Sequence, residues 1–118
     1  MEKVCLSELN KEVQEKILGA GYDLGEYDNS NNCVILPFGG LESLRCFVGG
    51  MQDKKTIYVC NSKNYYTGII DQIKDMADNG VINISFGEDI IVEDSIDNII
   101  ARMEEKKNAN NGENSKLL

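Results

Sequence analysis

Four cysteines, Cys5, Cys33, Cys46 and Cys60, are the strongest nucleophiles in the sequence. Catalysis by a cysteine needs a base, usually histidine, that generates and orients the thiolate, and the chain contains no histidine. No Cys-x-x-Cys pair occurs, which argues against a zinc site. We therefore predict small apolar residues of the core or of an interface at these positions, with no catalytic residue, no bound metal and no cofactor.

Four carboxylates flank a predicted hairpin, at Glu88, Asp89, Glu93 and Asp94. A catalytic pair needs a cleft that shifts one pKa, and a calcium loop needs EF-hand spacing; the sequence indicates neither. Ten acidic and two basic residues occupy 71–105, so this segment accounts for the net charge of −8. It is either a solvated surface or an acidic patch that docks a basic or nucleic-acid-binding protein. The predicted patch consists of Glu88, Asp89, Glu93, Asp94 and Asp97.

Two glycine pairs, at 39–40 and 49–50, invite comparison with phosphate-binding loops. Neither the Walker pattern nor the dinucleotide-binding pattern is present, so we interpret both pairs as turns between strands. Aromatic rings together with an arginine side chain suit an anionic or nucleotide-like ligand. Arg45, Tyr58, Tyr65 and Tyr66 are therefore candidate ligand-binding residues, with core packing of Tyr66 as the alternative role.

Three apolar segments, 33–38, 43–48 and 56–60, predict a three-strand meander around which the chain is organised. Side chains alternate along a strand, and both resulting faces of this sheet are apolar. Either helices cover both faces, or another protein covers one of them. The second case includes a homo-oligomer. The predicted interface face carries Ile35, Leu44, Cys46, Val48 and Tyr58.

Helices are predicted at 7–18, at 63–78 and from 94 or 95 to 107, each from an apolar stripe at helical spacing. Strands at 81–86 and 90–92 predict a second hairpin. The predicted fold class is α+β, with the order α-β-β-β-α-β-β-α, three helices and a mostly antiparallel sheet. Residues 1–107 are predicted to form a single domain, and 108–118 a disordered polar tail.

Length and charge narrow the class of protein further. A chain of 118 residues with 42% hydrophobic residues can bury a core without disulfides or metals. The net charge of −8 opposes direct contact with nucleic-acid phosphates and with anionic membranes. Because the sequence shows no signal peptide and no transmembrane segment, we expect a cytoplasmic protein.

The lack of a catalytic motif favours binding over catalysis. We expect a small acidic protein-binding module, such as an inhibitor, an immunity protein or a phage counter-defence protein, that binds a basic protein partner. A small-ligand or nucleotide-binding or sequestering domain is the alternative. A small enzyme is the third hypothesis.

Overall fold

One sheet of five short strands forms the centre of the molecule, and every pair of neighbouring strands in it is parallel. The computed structural model describes the backbone of residues 2–117 and the side chains of residues 2–109. In chain order the strands are β1 (Lys3–Leu6), β2 (Asp23–Leu24), β3 (Asn32–Ile35), β4 (Thr56–Cys60) and β5 (Ile90–Glu93). Across the sheet their order is β2-β1-β3-β4-β5.

Helices lie on both faces of this sheet. Within the described residues they are α1 (Lys11–Gly19), α2 (Leu41–Gln52), α3 (Thr67–Asp78) and α4 (Ile96–Leu117). Residues of α1 and α4, such as Ile17 and Ile99, pack on one face, and residues of α2 and α3, such as Phe47 and Ile70, pack on the other. Parallel strands require crossover connections of this kind, because after each strand the chain must return to the end of the sheet at which the strands begin.

The central strands are buried on both sides. Every residue of β3 is buried, and so are the last four residues of β4. Strands between two helical layers are typically near-continuous apolar runs. The apolarity of both strand faces in the sequence therefore reflects helices on both sides of the sheet, which is the first of the two alternatives above.

The predicted mostly antiparallel sheet is wrong, because residues 43–48 lie in helix α2 and not in a strand. The buried residues of α2 recur every three or four positions, which is the spacing of one helical face. Consequently the glycine pair at 39–40 joins a strand to a helix, and the pair at 49–50 lies inside the helix. The buried residues of α2 are Ser43, Cys46, Phe47 and Gly50.

The predicted element order is also wrong, and the described residues contain four helices where three were predicted. The N-terminal segment contains strand β1, and α1 begins only after Asn10, whose side chain accepts a hydrogen bond from the Val13 amide at 3.1 Å. The predicted strand 81–86 is not a strand; its last residue, Phe86, forms an isolated bridge with Ile90. Each of these two segments has only four to six residues. A segment of that length is too short for the spacing of its apolar residues to show whether it forms a strand.

The five residues of the predicted interface face do not share a sheet face. Ile35 and Tyr58 are buried in the cores on opposite faces of the sheet. Leu44, Cys46 and Val48 lie on α2, where Cys46 is buried and the other two are exposed. What the sequence presents as a flat apolar surface is therefore partly core and partly the outer side of one helix.

None of the helices in the described residues combines the length and the apolarity needed to cross a membrane. The predicted disordered tail, 108–118, overlaps the end of α4 as far as Leu117, and Leu118 lies outside the described residues. Its side chains from residue 110 onward are also outside the description. The disorder of this tail stays a prediction.

Candidate functional site

The strand order reverses between β1 and β3, which are neighbours in the sheet. From β1 the chain moves outward to β2, and it then returns to the other side of β1 to form β3. The connections that follow β1 and β3 leave for opposite faces, with α1 on one face and α2 on the other. In open parallel sheets this divergence leaves a crevice beyond the carboxyl ends of the strands, where ligands bind.

Ser7 joins the ends of the two strands at this point. Its amide donates to the Val34 carbonyl oxygen at 3.0 Å, and its hydroxyl accepts a hydrogen bond from the Leu36 amide at 2.9 Å. Ser7 is buried, so these bonds are shielded from water. Through these two bonds Ser7 fixes the start of the β3–α2 loop.

The β3–α2 loop, residues 36–40, places the N-terminus of α2 at the crevice. Gly40 occupies the N-cap position of α2 and provides no side-chain hydrogen bond to the helix. The first amide groups of any helix lack partners within it, and the helix dipole adds a partial positive charge there. Without a capping side chain, the amide groups at the start of α2 can bind an anion.

Two tyrosines fix the conformation of this loop. The Gly39 amide donates to the Tyr66 hydroxyl at 3.0 Å, and the same hydroxyl donates to the Leu36 carbonyl oxygen. The Tyr65 hydroxyl donates to the Gly39 carbonyl oxygen at 2.8 Å. A Cβ atom on Gly39 would lie 2.0 Å from the Ser43 hydroxyl oxygen, so glycine is required where these side chains converge.

Unusual backbone conformations concentrate at the same edge of the sheet. Phe38, Lys63 and Asn64 have φ angles of +61°, +55° and +59°, and all three follow the carboxyl ends of β3 or β4. Such conformations cost about 1–3 kcal/mol for residues other than glycine and cluster at ligand clamps. Asn61 supports the second loop, because its side-chain oxygen accepts a hydrogen bond from the Tyr66 amide at 2.7 Å.

Exposed aromatic and apolar groups surround the β3–α2 loop. Phe38 is 56% exposed and meets Tyr65 edge to face, with 5.3 Å between ring centroids. Leu41, the first residue of α2, is also exposed. An aromatic ring held in this way beside an anion-binding helix start offers a surface for a planar ring.

A cavity of about 330 Å³ lies beside the loop, between it and the start of α1. Its one lysine, Lys16, pairs with Asp97 at 3.0 Å, and the hydrogen bond that Lys16 donates to that carboxylate raises the pKa of Lys16 above its usual value. A smaller cavity of about 200 Å³ lies at the opposite edge of the sheet, away from these loops. The lining of the larger cavity includes Glu8, Asn10, Leu36, Pro37 and Phe38.

Of the four candidate ligand-binding residues, the structure brings Tyr65 and Tyr66 together at the β3–α2 loop. Arg45 lies one turn into α2 and is exposed, with its guanidinium 3.9 Å from the Glu42 carboxylate. Tyr58 is buried in the core on the opposite face of the sheet. Burial raises the pKa of Tyr58 to about 12, as expected for a phenol that packs as a core residue.

The five residues of the predicted acidic patch lie at two ends of β5. Glu88 and Asp89 precede the strand, whereas Glu93 ends it and Asp94 follows it. The length of the four-residue strand, about 13 Å, separates the two pairs. Three of the five carboxylates bond within the protein. Glu93 accepts a hydrogen bond from Arg102 at 2.7 Å, Asp97 pairs with Lys16, and Asp89 accepts from the Ser85 amide at 2.8 Å.

Sequence reasoning overlooked the importance of Gly39, Gly40 and Phe38. The signal that could have revealed them is their position, directly after an apolar strand and directly before the helical spacing of buried residues in α2. A glycine pair in that context indicates a strand-to-helix loop and not a hairpin turn.

Comparisons of the chain with protein-family models, with curated proteins and with solved structures gave no match.

Proposed function

We propose that this protein binds a small anionic ligand with a planar ring, such as a nucleotide, at the β3–α2 loop. The observation that carries the proposal is the loop itself: a glycine pair, fixed by two tyrosine hydroxyls, presents an uncapped helix start at the point where strand order reverses. Sites of this kind hold phosphate groups on backbone amides and need no basic side chain.

The role of each group follows from its position. The amides at the start of α2 would bind the anion. The exposed Phe38 ring, with Tyr65 against its edge, would pack on the planar part of the ligand. Tyr66 would act indirectly, because its hydroxyl is already bonded to the loop.

The net charge of −8 acts against an anionic ligand at long range. At physiological salt this field is screened beyond about 8 Å, whereas hydrogen bonds to amides act at about 3 Å. We therefore expect the affinity to hold or to rise with added salt, in contrast to the steep fall seen when basic side chains bind nucleic acids.

The test uses isothermal titration calorimetry with adenosine 5′-monophosphate on the full chain and on two variants. Leu41→Pro removes one amide donor at the first helical position, where proline is tolerated; Leu41→Ala keeps that amide and removes the side chain. We expect Leu41→Pro to weaken binding about tenfold, as for the loss of one charge-assisted hydrogen bond. Equal affinities for Leu41→Pro and Leu41→Ala would contradict the proposal.

Protein binding is the second candidate function, and one observation favours it. Leu41, Leu44 and Val48 are 82%, 43% and 50% exposed and are spaced by three and four residues, which places them on one outer side of α2. An apolar stripe of this kind suits an amphipathic helix or groove of a protein partner. In this case Leu41→Ala should already weaken capture of the partner, and Leu41→Pro should weaken it no further, because both variants lack the leucine side chain. Ligand binding, by contrast, predicts a loss in Leu41→Pro alone.

A further inference from the structure

A groove of about 430 Å³ lies over strand β1, on the face of the sheet that α2 and α3 cover. It is present because the connection from β2 to β3 holds only the 3-10 turn Tyr27–Asn29, where a crossover helix would otherwise cover β1. One wall of the groove is α2, including Arg45 and Gly49, and the opposite wall is the turn with Tyr27. The thiols of Cys5 and Cys46 line it.

Cys5 and Cys33 are register partners on the neighbouring strands β1 and β3. Register partners point to the same face, and neighbouring strands are about 4.8 Å apart, within the range of about 4.4–6.8 Å between the Cα atoms of a disulfide. The side chains of Cys5 and Cys33 therefore lie next to each other on the same face of the sheet. Cys5 in turn donates to the Leu6 carbonyl oxygen, with 3.6 Å between sulfur and oxygen.

The two thiols differ in access and in acidity. Cys5 is 8% exposed, at the floor of the groove, whereas Cys33 is fully buried behind it. The neighbouring Cys33 thiol, together with the charge of Lys55, lowers the pKa of Cys5 below its usual value against the opposing effect of burial. Lys55 is held in place, since its ammonium donates to the Ser30 carbonyl oxygen at 2.6 Å and lies 4.4 Å from the Tyr27 ring centroid.

The charged groups that face the groove are four carboxylates and one guanidinium. Glu42, Arg45 and Asp53 project from or follow α2, whereas Glu26 precedes the 3-10 turn and Asp28 lies within it. The Cys46 thiol on α2 differs from Cys5, because burial raises its pKa to about 11. Of these three thiols, only Cys5 combines a position on the groove with a lowered pKa.

We propose that Cys5 and Cys33 form a peroxide-responsive dithiol, in which Cys5 reacts with hydrogen peroxide entering through the groove and Cys33 resolves the product as an intramolecular disulfide. In the first step the Cys5 thiolate attacks one peroxide oxygen, the O–O bond breaks, and the departing hydroxide takes a proton. In the second step Cys33 sulfur attacks the Cys5 sulfenic acid, the S–O bond breaks, and the sulfenic oxygen leaves as water with the Cys33 proton. Two thiols and one peroxide thus give one disulfide and two waters.

Mass spectrometry of the full chain tests this proposal without any substitution. Trypsin places each cysteine on its own peptide, at 4–11, 17–45, 46–54 and 56–63. After hydrogen peroxide treatment we expect the intact protein to lose two hydrogen atoms and peptide 4–11 to be joined to peptide 17–45. Joining of 4–11 to 46–54, or oxygen addition with no joined peptides, would overturn the proposal.

Matched variants separate reactivity from folding. Cys5→Ala and Cys33→Ala should each abolish the loss of two hydrogens, whereas Cys60→Ala, a buried thiol on the opposite face of the sheet, should retain it. Circular dichroism identifies any variant that does not fold, and the peptide linkage of the unsubstituted chain decides the question in that case. Retention of the disulfide in Cys33→Ala would also overturn the assignment of Cys33 as the resolving thiol.

Discussion

The amide of Gly39 donates a hydrogen bond to the hydroxyl of Tyr66 at 3.0 Å, across 27 positions of the sequence. The bond joins the loop after β3 to the residue that precedes α3. Since the same hydroxyl also bonds the Leu36 carbonyl oxygen and lies 2.9 Å from the Ser43 hydroxyl, one side chain contacts two groups of the β3–α2 loop and one group of α2. The loop conformation, and with it the proposed anion site, therefore depends on Tyr66.

Tyr66→Phe should destabilise the protein. It leaves the Gly39 amide and the Leu36 carbonyl without the bonds described above, in a buried site, and we expect a loss of about 1–3 kcal/mol in the free energy of unfolding. Tyr65→Phe is the matched control, because its hydroxyl makes one exposed bond to Gly39. Urea denaturation measures both, and equal losses would contradict the role assigned to Tyr66.

Gly39→Ala should disrupt the loop although it adds only one methyl group. The new Cβ would lie 2.0 Å from the Ser43 hydroxyl and 2.9 Å from the Tyr66 hydroxyl, so at least one of these contacts must break, and we expect a cost of about 1–3 kcal/mol. Gly68→Ala in α3 adds its methyl group to open space and should stabilise by about 0.5–1 kcal/mol. Thermal unfolding of the two variants should shift in opposite directions, and a harmless Gly39→Ala would refute the packing described here.

Glu93→Lys should destabilise the fold, and it is therefore unsuitable as a probe of the acidic surface. The Glu93 side chain is 22% exposed and pairs with Arg102 at 2.7 Å, so a lysine there would place two positive charges together. We expect a loss of about 1–2 kcal/mol, which is below the value for a fully buried pair because water reaches this one. Glu88→Lys, at an exposed position, should change the unfolding midpoint little; a similar loss in both variants would argue against the ion pair.

Stability should fall as the pH rises above about 9. Burial raises the pKa of Cys46 from 9.0 to about 11 and that of Tyr58 from 10.0 to about 12. Between these values the unfolded chain releases protons that the folded chain retains, so the folded state loses relative stability with increasing pH. Each group contributes at most about 2–3 kcal/mol.

The measurement is the urea midpoint between pH 8 and pH 11, with Cys46→Ala as the comparison. That variant should start from a lower stability but show a shallower alkaline decline. A decline equally steep in both proteins would show that Cys46 is not among the groups responsible.

The sequence was informative where a pattern extended over several turns. The apolar stripe that predicted a helix over 63–78 includes Ile70 and Ile73, the buried residues of α3. Residues 43–48 were wrongly predicted to form a strand, because a run of bulky apolar residues is compatible with a strand as well as with a helix. A tertiary contact decides between the two. Gly50, which has no side chain, lies against the Ile57 side chain in β4. This contact packs α2 on the sheet, and no local preference encodes it.

The candidate site could be predicted only in part, because its parts are distant in sequence. Tyr65 and Tyr66 were identified as candidates from residue type alone, but their partner, Gly39, was assigned to a hairpin. The direct pairing of β3 with β4 brings the two loops side by side at one end of the sheet. In the predicted meander a strand over 43–48 lies between the other two strands, which separates the two loops by about 10 Å, or two strand spacings.

The most direct test of the account is an NMR titration of ¹⁵N-labelled protein with adenosine 5′-monophosphate, with adenosine and inorganic phosphate as separate controls. The account predicts that the amide signals of Gly40, Leu41 and Glu42 shift in a saturable manner with the nucleotide, while signals from the β5 region near Glu88 stay in place. Phosphate alone should shift the same amides more weakly, and adenosine should affect chiefly Phe38. Unchanged signals at 40–42 at saturating nucleotide, or shifts confined to another part of the molecule, would contradict the proposed ligand site.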